Sequence, residues 1–313
     1  MTDNTDVSLD DGALRFVELL DMLPLDDPRD DIDTASLISR FPALAGVEVT
    51  EFELPGPHGL IPVRRYQGDT SASTGLVWVH GGAFVSGSLD MPESHWVGLE
   101  LAARGISVLA LDYRKALGGV HHPVLSDEVL AGWLAAAEGL LGVPVERLHL
   151  GGASAGANLS AGVALRCIPG TYPLPASLIL VYPVLHDELP PAGPEAAAAV
   201  ANLAPELRFS PGFMRAVNVN YVGGPESLSD GVAFPANSNV AGLPPTLILN
   251  AEADDLRPSG EAFASQLEVV GVPVVVDYEP GTVHGYLDHP GLLTAVSTIE
   301  RITRWLQGGL SNY

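Results

Sequence analysis

A serine between two glycines constrains this chain more than any other feature of its sequence. Residues 152–156 read Gly-Ala-Ser-Ala-Gly. The residues before them, 147–151, are typical of a short buried strand, and residues 157–166 are typical of a helix. A serine at such a corner sits in a sharp turn that lifts its hydroxyl clear of the sheet, and the flanking glycines let strand and helix approach closely. Ser154 is therefore the candidate nucleophile.

A serine hydroxyl needs a base to become a nucleophile at neutral pH. His284 lies in a Thr-Val-His-Gly stretch after the last predicted strand. A loop at that edge of a parallel sheet could carry its imidazole to Ser154. Alone, His284 is more simply a surface loop residue, and the serine upstream makes it the candidate base. Because the base must be neutral, activity is predicted to rise with pH through the imidazole range near about 6.5.

Carboxylates that could orient this base follow the predicted strand at residues 246–250. They are Glu252, Asp254 and Asp255. Asp254 is preferred, because the stretch from it to His284 leaves room for one helix and one strand, as a βαβ unit requires. Its role would be to fix the imidazole tautomer and to stabilise the charged ring. Glu252 and Asp255 stay open as alternatives, and Asp255 could instead help to start the next helix near Pro258.

A glycine pair follows another predicted strand. Residues 76–82 read Leu-Val-Trp-Val-His-Gly-Gly, a hydrophobic run that ends in His80. Small residues let backbone N–H groups converge on a substrate oxygen, which the oxyanion formed by serine attack requires. A plain glycine turn would have the same sequence, so this motif gains its meaning from the Ser154 corner.

Strand-like and helical patterns alternate along most of the chain. Strands are predicted at residues 47–54, 61–66, 75–79, 106–112, 148–150, 178–182, 246–250 and 273–278. The first two flank a Pro-Gly-Pro-His-Gly turn and are predicted to be an antiparallel pair. The later alternation predicts an α/β fold with a mostly parallel central sheet and helices on both faces.

Residues 186–237 break the alternation and are predicted to form an inserted helical cap. The segment is too long for a simple crossover and carries predicted helices at residues 195–204 and 212–221. Residues 1–45, with helical patterns at 12–23 and 34–40, are predicted to contribute to the cap. Residues 46–185 and 238–313 then form the catalytic domain. Candidate pocket walls, which could equally be cap core, are Phe209, Phe213, Met214, Val217 and Tyr221.

The composition limits the partners of the protein. Its 313 residues carry 38 acidic and 15 basic side chains, a formal charge of −23. So acidic a surface repels nucleic acid and anionic membranes. No apolar run is long enough to span a membrane and no signal peptide is expected, which predicts a cytoplasmic protein. The one cysteine, Cys167, excludes an internal disulfide and is predicted to pack in the core.

No cofactor and no metal site are predicted. His121 and His122 are adjacent, so they cannot easily face one ion together. His186 precedes an Asp-Glu pair, which is only a weak indication of a metal site. Nothing in the sequence has the spacing of a zinc motif.

Motifs spread over residues 45–308 resemble the hormone-sensitive-lipase-like branch of the α/β-hydrolases, whose bacterial members are mostly carboxylesterases. In chain order they are His80-Gly81-Gly82-Ala83-Phe84, Asp112-Tyr113-Arg114, the Ser154 corner with Asn158, Tyr182-Pro183, Asn220-Tyr221-Val222-Gly223, Asp254-x-Leu256-Arg257 and Val283-His284-Gly285. The order serine, aspartate, histidine is also that of α/β-hydrolases. The resemblance implies an α/β-hydrolase fold with the backbone N–H groups of Gly82, Ala83 and Ala155 as oxyanion donors.

The chain departs from the family pattern near these motifs. The family commonly has a third glycine where Ala83 stands, a change that keeps the N–H but narrows the range of φ. The family often has an acidic residue where Ala153 stands. After Arg114, members usually run through a Leu-Ala-Pro-Glu-like stretch, whereas residues 115–123 here differ, which predicts a rebuilt loop. These departures bear on the substrate range more than on the chemistry.

Together these residues predict a serine carboxylesterase that hydrolyses small acyl esters through an acyl-enzyme intermediate. Short acyl chains and tolerance of bulky alcohols are implied by the resemblance alone. An amidase or carbamate hydrolase would use the same residues, and an acyltransferase would differ only in the acceptor. A receptor on this scaffold would lack a complete triad and is less favoured. The last strand could pair across a homodimer.

Overall fold

Eight strands form one sheet in the computed structural model, which describes residues 14–16, 34–68 and 72–308. The strands are β1 (Glu48–Gly56), β2 (Gly59–Gln67), β3 (Thr74–Val79), β4 (Ile106–Leu111), β5 (Leu148–Ala153), β6 (Leu178–Val181), β7 (Thr246–Ala253) and β8 (Val274–Val283). Their order across the sheet is β1-β2-β4-β3-β5-β6-β7-β8. The pairs β1–β2 and β2–β4 are antiparallel and the later pairs are parallel. The predicted sheet and its antiparallel first pair are confirmed.

The central strands are buried on both faces because they carry unbroken apolar runs. Successive side chains of a strand point to opposite faces of the sheet. In β3, Val77 and Val79 therefore join one hydrophobic cluster, while Leu76 and Trp78 join a second one. The sheet thus lies between two layers of core, which is the arrangement that helices on both faces produce.

Helices follow most strands and cover these two cores. They are α1 (Thr34–Arg40), α2 (Pro92–Ala103), α3 (Val124–Ala135), α4 (Ala155–Cys167), α5 (Pro194–Val200), α6 (Pro211–Val222), α7 (Arg257–Val269) and α8 (Leu293–Gly308), and residues 14–16 are helical as well. Strands β3, β5, β6 and β7 all end at the same edge of the sheet, because they run parallel. The loops that follow them meet there, where a site in an open α/β sheet is expected.

The last strand differs from its predicted form. β8 continues past Pro280 and Gly281 to Val283, alongside the end of β7, with an irregularity between Ala251 and Ala253. It is also an edge strand with half-exposed side chains. His284 still follows the strand directly, as predicted.

The segment between β6 and β7 contains α5 and α6, where two helices were predicted. α5 is shorter than predicted: it ends at Val200, and a turn follows in which the Leu203 N–H donates to the Val200 carbonyl oxygen at 3.1 Å. Ala204, the residue before Pro205, has an extended ψ of 143°. The helix predicted at residues 12–23 lies outside the described residues apart from 14–16. There the Phe16 ring packs edge-on against Phe213 of α6, with 5.8 Å between ring centroids. The division into a catalytic domain and a cap stays a prediction.

Candidate active site

Ser154 lies at the corner between β5 and α4. Its φ of 51° and ψ of −118° are unusual for a residue with a Cβ, and such a conformation persists only where the surroundings enforce it. Gly156 shows how tight the corner is, because a Cβ there would collide with the carbonyl oxygens of Val79 and His80 at the end of β3. The Ser154 N–H donates to the carbonyl oxygen of Val181 in β6 at 2.9 Å. The corner thus aims the serine side chain at the shared edge of the sheet.

His284 and Asp254 meet Ser154 at this edge. The Ser154 Oγ lies 3.0 Å from Nε2 of His284, and Nδ1 of His284 lies 2.7 Å from Oδ2 of Asp254. The other Asp254 oxygen accepts the N–H of Leu256 at 2.9 Å, and Asp254 is 1% exposed. Because a carboxylate only accepts hydrogen bonds, Nδ1 carries the ring proton and Nε2 is left to accept the serine hydroxyl. Gly285, with φ of 75°, turns the chain immediately after the imidazole.

The two alternative carboxylates have other partners. Glu252 accepts the N–H of Gly281 at 2.6 Å, which joins the ends of β7 and β8. Asp255 binds the segment before α6 through Arg208 and the N–H of Phe209. Asp255 therefore does not start the next helix, which was its alternative role, and Asp254 is the carboxylate in contact with His284.

The loop after β3 has the strained backbone expected of a turn that gathers N–H groups. Gly82 has φ of 114°, and Ala83 and Phe84 have φ of 51° and 65°. The Gly82 carbonyl oxygen accepts the N–H groups of Val85 and Ser86, which closes the turn. A left-handed conformation at Ala83 costs about 1–2 kcal/mol relative to glycine. Ala155 begins α4, so its N–H belongs to the first turn, whose amides have no acceptor within a helix.

A polar network beneath this loop was not predicted. His80 is fully buried and its Nδ1–H donates to the Gly81 carbonyl oxygen at 2.7 Å, so its Nε2 accepts from Lys115 Nζ at 3.1 Å. Lys115 Nζ also donates to Asp112 Oδ1 at 2.8 Å, and the Tyr113 ring stacks on His80. Burial and the Lys115 charge lower the pKa of His80. His80 is thereby kept neutral and in one tautomer.

Lys115 stands in the stretch whose sequence departs from the family pattern, and that departure was the available signal. Burial alone would raise the pKa of the Asp112 carboxyl, but the contacts with its neighbours, among them the hydrogen bond and the positive charge of Lys115, outweigh burial and hold this pKa well below its usual range. Asp112 is therefore ionised beside Lys115 and compensates its charge.

Glu93 is a second unpredicted residue at the site. It is 1% exposed, and its carboxyl accepts the Gly81 N–H at 2.7 Å and the Trp78 indole N–H at 3.0 Å. The N–H of Glu93 donates to Asp288 Oδ1 at 3.1 Å, which joins α2 to the turn after His284. Burial raises the pKa of Glu93 well above its usual range, and Asp288 adds to the rise. In the sequence, an acidic residue after a proline is explained by the start of a helix, so this role left no signal.

The predicted pocket walls divide into one residue that contacts His284 and four that are buried in the hydrophobic core on one face of the sheet. The Phe209 ring lies edge-to-face against the His284 imidazole, with centroids 4.7 Å apart. The other four are at most 8% exposed, and Tyr221 among them stacks on Phe84 of the loop after β3 at 3.9 Å. The remaining three are Phe213, Met214 and Val217.

The other histidines singled out in the sequence hold the fold together. His121 Nδ1 donates to the Asn220 carbonyl oxygen at 2.7 Å, and His122 contacts the Tyr221 hydroxyl at 3.2 Å, both in α6. Cys167 is buried, as predicted. Across residues 14–16, 34–68 and 72–308, no group of three or more His, Cys, Asp or Glu side chains could hold a metal ion. No helix within the same ranges is long and apolar enough to cross a bilayer.

With this geometry, the chain belongs to the α/β-hydrolase fold family, whose profile matches residues 76–288. Within it, the predicted hormone-sensitive-lipase-like branch is confirmed. The chain is 28% identical to the esterase LipI of Mycobacterium tuberculosis, over 83% of this chain and 81% of that protein. It is 31% identical to the carboxylic ester hydrolase LipN of the same organism, over 77% and 65% of the two chains. A hyperthermophilic esterase of the archaeon Pyrobaculum calidifontis has a similar structure, with a TM-score of 0.74, 25% identity and coverage of 96% and 98%.

Proposed function

We propose that this protein is a serine carboxylesterase that hydrolyses small acyl esters. The observation that carries the proposal is the hydrogen-bonded series from Ser154 through His284 to Asp254, with distances of 3.0 and 2.7 Å. The similarity to proteins named as esterases supports the same reaction. Ser154 is 8% exposed and the His284 side chain 14%, so both are largely shielded from water.

The proposed reaction proceeds through an acyl-enzyme. His284 takes the hydroxyl proton at Nε2 as the Ser154 oxygen attacks the ester carbonyl, and Asp254 stabilises the imidazolium through Nδ1–H. The imidazolium then gives its proton to the leaving alcohol oxygen as the C–O bond breaks. In the second half, water loses a proton to His284 and attacks the acyl-enzyme, which releases the acid and restores the serine hydroxyl.

The proposed oxyanion donors are the N–H groups of Gly82, Ala83 and Ala155. The turn after β3 and the start of α4 flank Ser154, so donors from both could reach one oxygen. Each such donor is worth about 10²–10³ in rate in a well-studied protease. A side-chain change cannot delete a backbone donor, so Ala83→Gly should be tolerated better than Ala83→Val, whose β-branched side chain resists a positive φ.

The decisive experiment measures ester hydrolysis by variants of Ser154 and of two acidic residues at the end of β7. Ser154→Ala should abolish hydrolysis of p-nitrophenyl acetate, a loss of about 10⁶ in kcat, together with fluorophosphonate labelling. Asp254→Asn should lower kcat by about 10⁴ because the imidazole loses its preferred tautomer. Glu252→Gln is the matched control, since glutamine can still accept the Gly281 N–H, and it should keep the wild-type kcat. A wild-type protein that neither hydrolyses the ester nor reacts with the probe would refute the proposal.

Ester and amide substrates are separated by one further measurement. The corresponding p-nitroanilide should be cleaved far more slowly than the ester, and added alcohol should not divert most of the acyl group from water.

A homodimer through the exposed edge of β8 and a cytoplasmic location are also proposed. Light scattering of the purified protein checks the dimer.

A further inference from the structure

Asp255, the neighbour of Asp254, binds Arg208 and Phe209, in the segment that precedes α6. Its two carboxylate oxygens accept from Nε and Nη2 of Arg208 at 2.8 and 2.9 Å. One of them also accepts the backbone N–H of Phe209 at 2.8 Å. The Asp255 side chain is 14% exposed and that of Arg208 36%, so the carboxylate is largely shielded from water while the guanidinium side is partly open.

This contact fixes both position and direction of the segment. A planar guanidinium that binds a carboxylate through two parallel hydrogen bonds has little rotational freedom, and the backbone hydrogen bond adds the register. Nη1 of Arg208 also donates to the Val200 carbonyl oxygen at 3.2 Å. Arg208, the residue before Phe209, thereby binds both the end of α5 at Val200 and the carboxylate of Asp255, which follows β7.

The Phe209 ring is what this contact places at the reacting groups. It stands edge-to-face on the His284 imidazole, with 4.7 Å between centroids and 70° between planes, and it packs 5.9 Å from Phe213. Two adjacent carboxylates therefore hold the imidazole in different ways. Asp254 binds it directly, and Asp255 acts on it through Phe209.

We propose that Asp255 is a positioning residue that sets Phe209 as the wall against the leaving alcohol of the ester, and so limits the bulk of that alcohol. The inference rests on the proposed esterase function. Nε2 of His284 must reach both the serine oxygen and the leaving oxygen, so the alcohol lies beside the imidazole. A ring packed on that imidazole occupies the space that a branched alcohol needs.

The test is a comparison of kcat/KM for tert-butyl acetate and ethyl acetate. Phe209→Ala should raise the ratio of the two at least about 10-fold, in line with what a few methyl groups are worth in an apolar pocket. Asp255→Ala should raise it by a similar factor, because Phe209 is no longer held. The double variant should add little to either single variant, since both changes act on one contact.

Asp277→Ala is the matched control. It removes a carboxylate that pairs with Arg301 Nη2 at 2.7 Å at the sheet edge, and it should leave the ratio at the wild-type value. If Asp255→Ala does not fold, Asp255→Asn carries the same test, because an amide has one acceptor and cannot bind Arg208 through both oxygens. The ratio should rise by a smaller factor in this variant, since the amide oxygen can still accept the Phe209 N–H.

The inference is overturned if the ratio is unchanged in both Asp255 variants, which includes an equal fall in kcat/KM for both esters. Strictly additive effects in the double variant would also overturn it. In each of these results the wild type is still active, so the proposed function survives. If the wild type hydrolyses neither ester and is not labelled by a fluorophosphonate, the proposed function is what fails, and the inference fails with it.

Discussion

Positive φ values outside glycine cluster at the candidate site. Among the described residues they belong to Ala83, Phe84, Ser154 and Tyr182. These residues follow the ends of β3, β5 and β6, and the Tyr182 ring lies 4.8 Å from that of His284. Each such conformation costs about 1–3 kcal/mol and is kept only where packing enforces it. The strain in this molecule is thus concentrated around the proposed nucleophile and oxyanion donors.

Glu93 gives a prediction at the scale of one residue. Its carboxyl holds two N–H donors, those of Gly81 and Trp78. A glutamine side chain offers one acceptor and one donor group. In Glu93→Gln one of these N–H groups therefore faces the amide NH2 instead of an oxygen, which should lower kcat about 10-fold. Glu93→Ala removes both side-chain acceptors, although the Trp78 indole keeps the backbone carbonyl oxygen of residue 93 at 3.1 Å. Because the Gly81 N–H loses its partner, this variant should lower kcat by up to about 10², the lower end of what a lost oxyanion donor costs. Steady-state kinetics should show the loss in kcat, with KM little changed.

Glu100 provides the control for this prediction. It is buried in the same helix, α2, where it accepts from the Trp96 indole at 3.1 Å. Glu100→Gln should therefore keep the wild-type kcat, whatever it does to stability. Normal kcat in both Glu93 variants would mean that the carboxyl only supports the fold.

Strands that consist of a continuous apolar run could be predicted from the sequence, including where they end. The ends of elements that depend on pairing or packing with distant segments could not. β3 is one such run, and its predicted end at Val79 is correct. β8 extends beyond the Pro-Gly pair at residues 280–281 because β7 offers it further pairing, which no local pattern records. The segment predicted as α5 is Ala-rich throughout, yet the helix ends at Val200, where the Leu203 N–H closes a turn on the Val200 carbonyl oxygen.

The same division applies to the site. Ser154, His284 and Asp254 could be predicted because each follows a strand, and parallel strands bring their ends together. Glu93 and Phe209 come from a helix and from the segment before α6. Phe209 was predicted only as a candidate pocket wall. Its contact with His284 and the contacts of Glu93 depend on how these elements pack, which no local pattern records. Asp255 was predicted either as an alternative to Asp254 or as part of the start of the next helix, and its actual partner, Arg208, lies far along the chain.

His149 gives a prediction for the contact between β5 and α8. The Ser177 hydroxyl accepts from the Trp305 indole at 2.7 Å and shares a second hydrogen bond with Nδ1 of His149, also at 2.7 Å. Burial, with a smaller effect of the Arg147 charge, lowers the pKa of His149 to about 4. The unfolded chain, with an imidazole pKa near about 6.5, binds a proton below that pH that the folded protein does not.

The contribution of His149 to the free energy of unfolding should therefore be fully present above about pH 6.5 and should be lost as the pH falls towards 4. Between pH 7 and pH 5.5, which stays clear of the sequence pI of about 4.5, this histidine should account for a loss of about 1 kcal/mol in the free energy of unfolding. Urea unfolding of wild type and His149→Gln at both pH values measures it. The variant should lose less stability over this range, and equal losses would contradict the assignment.

At the scale of the whole molecule, the formal charge of −23 opposes the compact state. Added salt shortens the range of this repulsion, from about 10 Å at 0.1 M to about 3 Å at 1 M. Raising NaCl over that range at pH 7.5 should raise Tm by several degrees. Calorimetry at fixed protein concentration checks this, and a Tm that stays constant or falls would show that the acidic residues do not repel one another appreciably.

Lys115 is the one lysine of the chain, and it lies directly below the proposed oxyanion loop. Its side chain is 14% exposed, and its Nζ hydrogen-bonds with His80, Asp112 and the Tyr113 carbonyl oxygen. Reductive methylation with isotope-enriched formaldehyde keeps the positive charge and would label this ε-amine and the amino terminus only. The resulting methyl resonance would report inhibitor binding at the neighbouring loop, in a protein that needs no engineered spectroscopic probe.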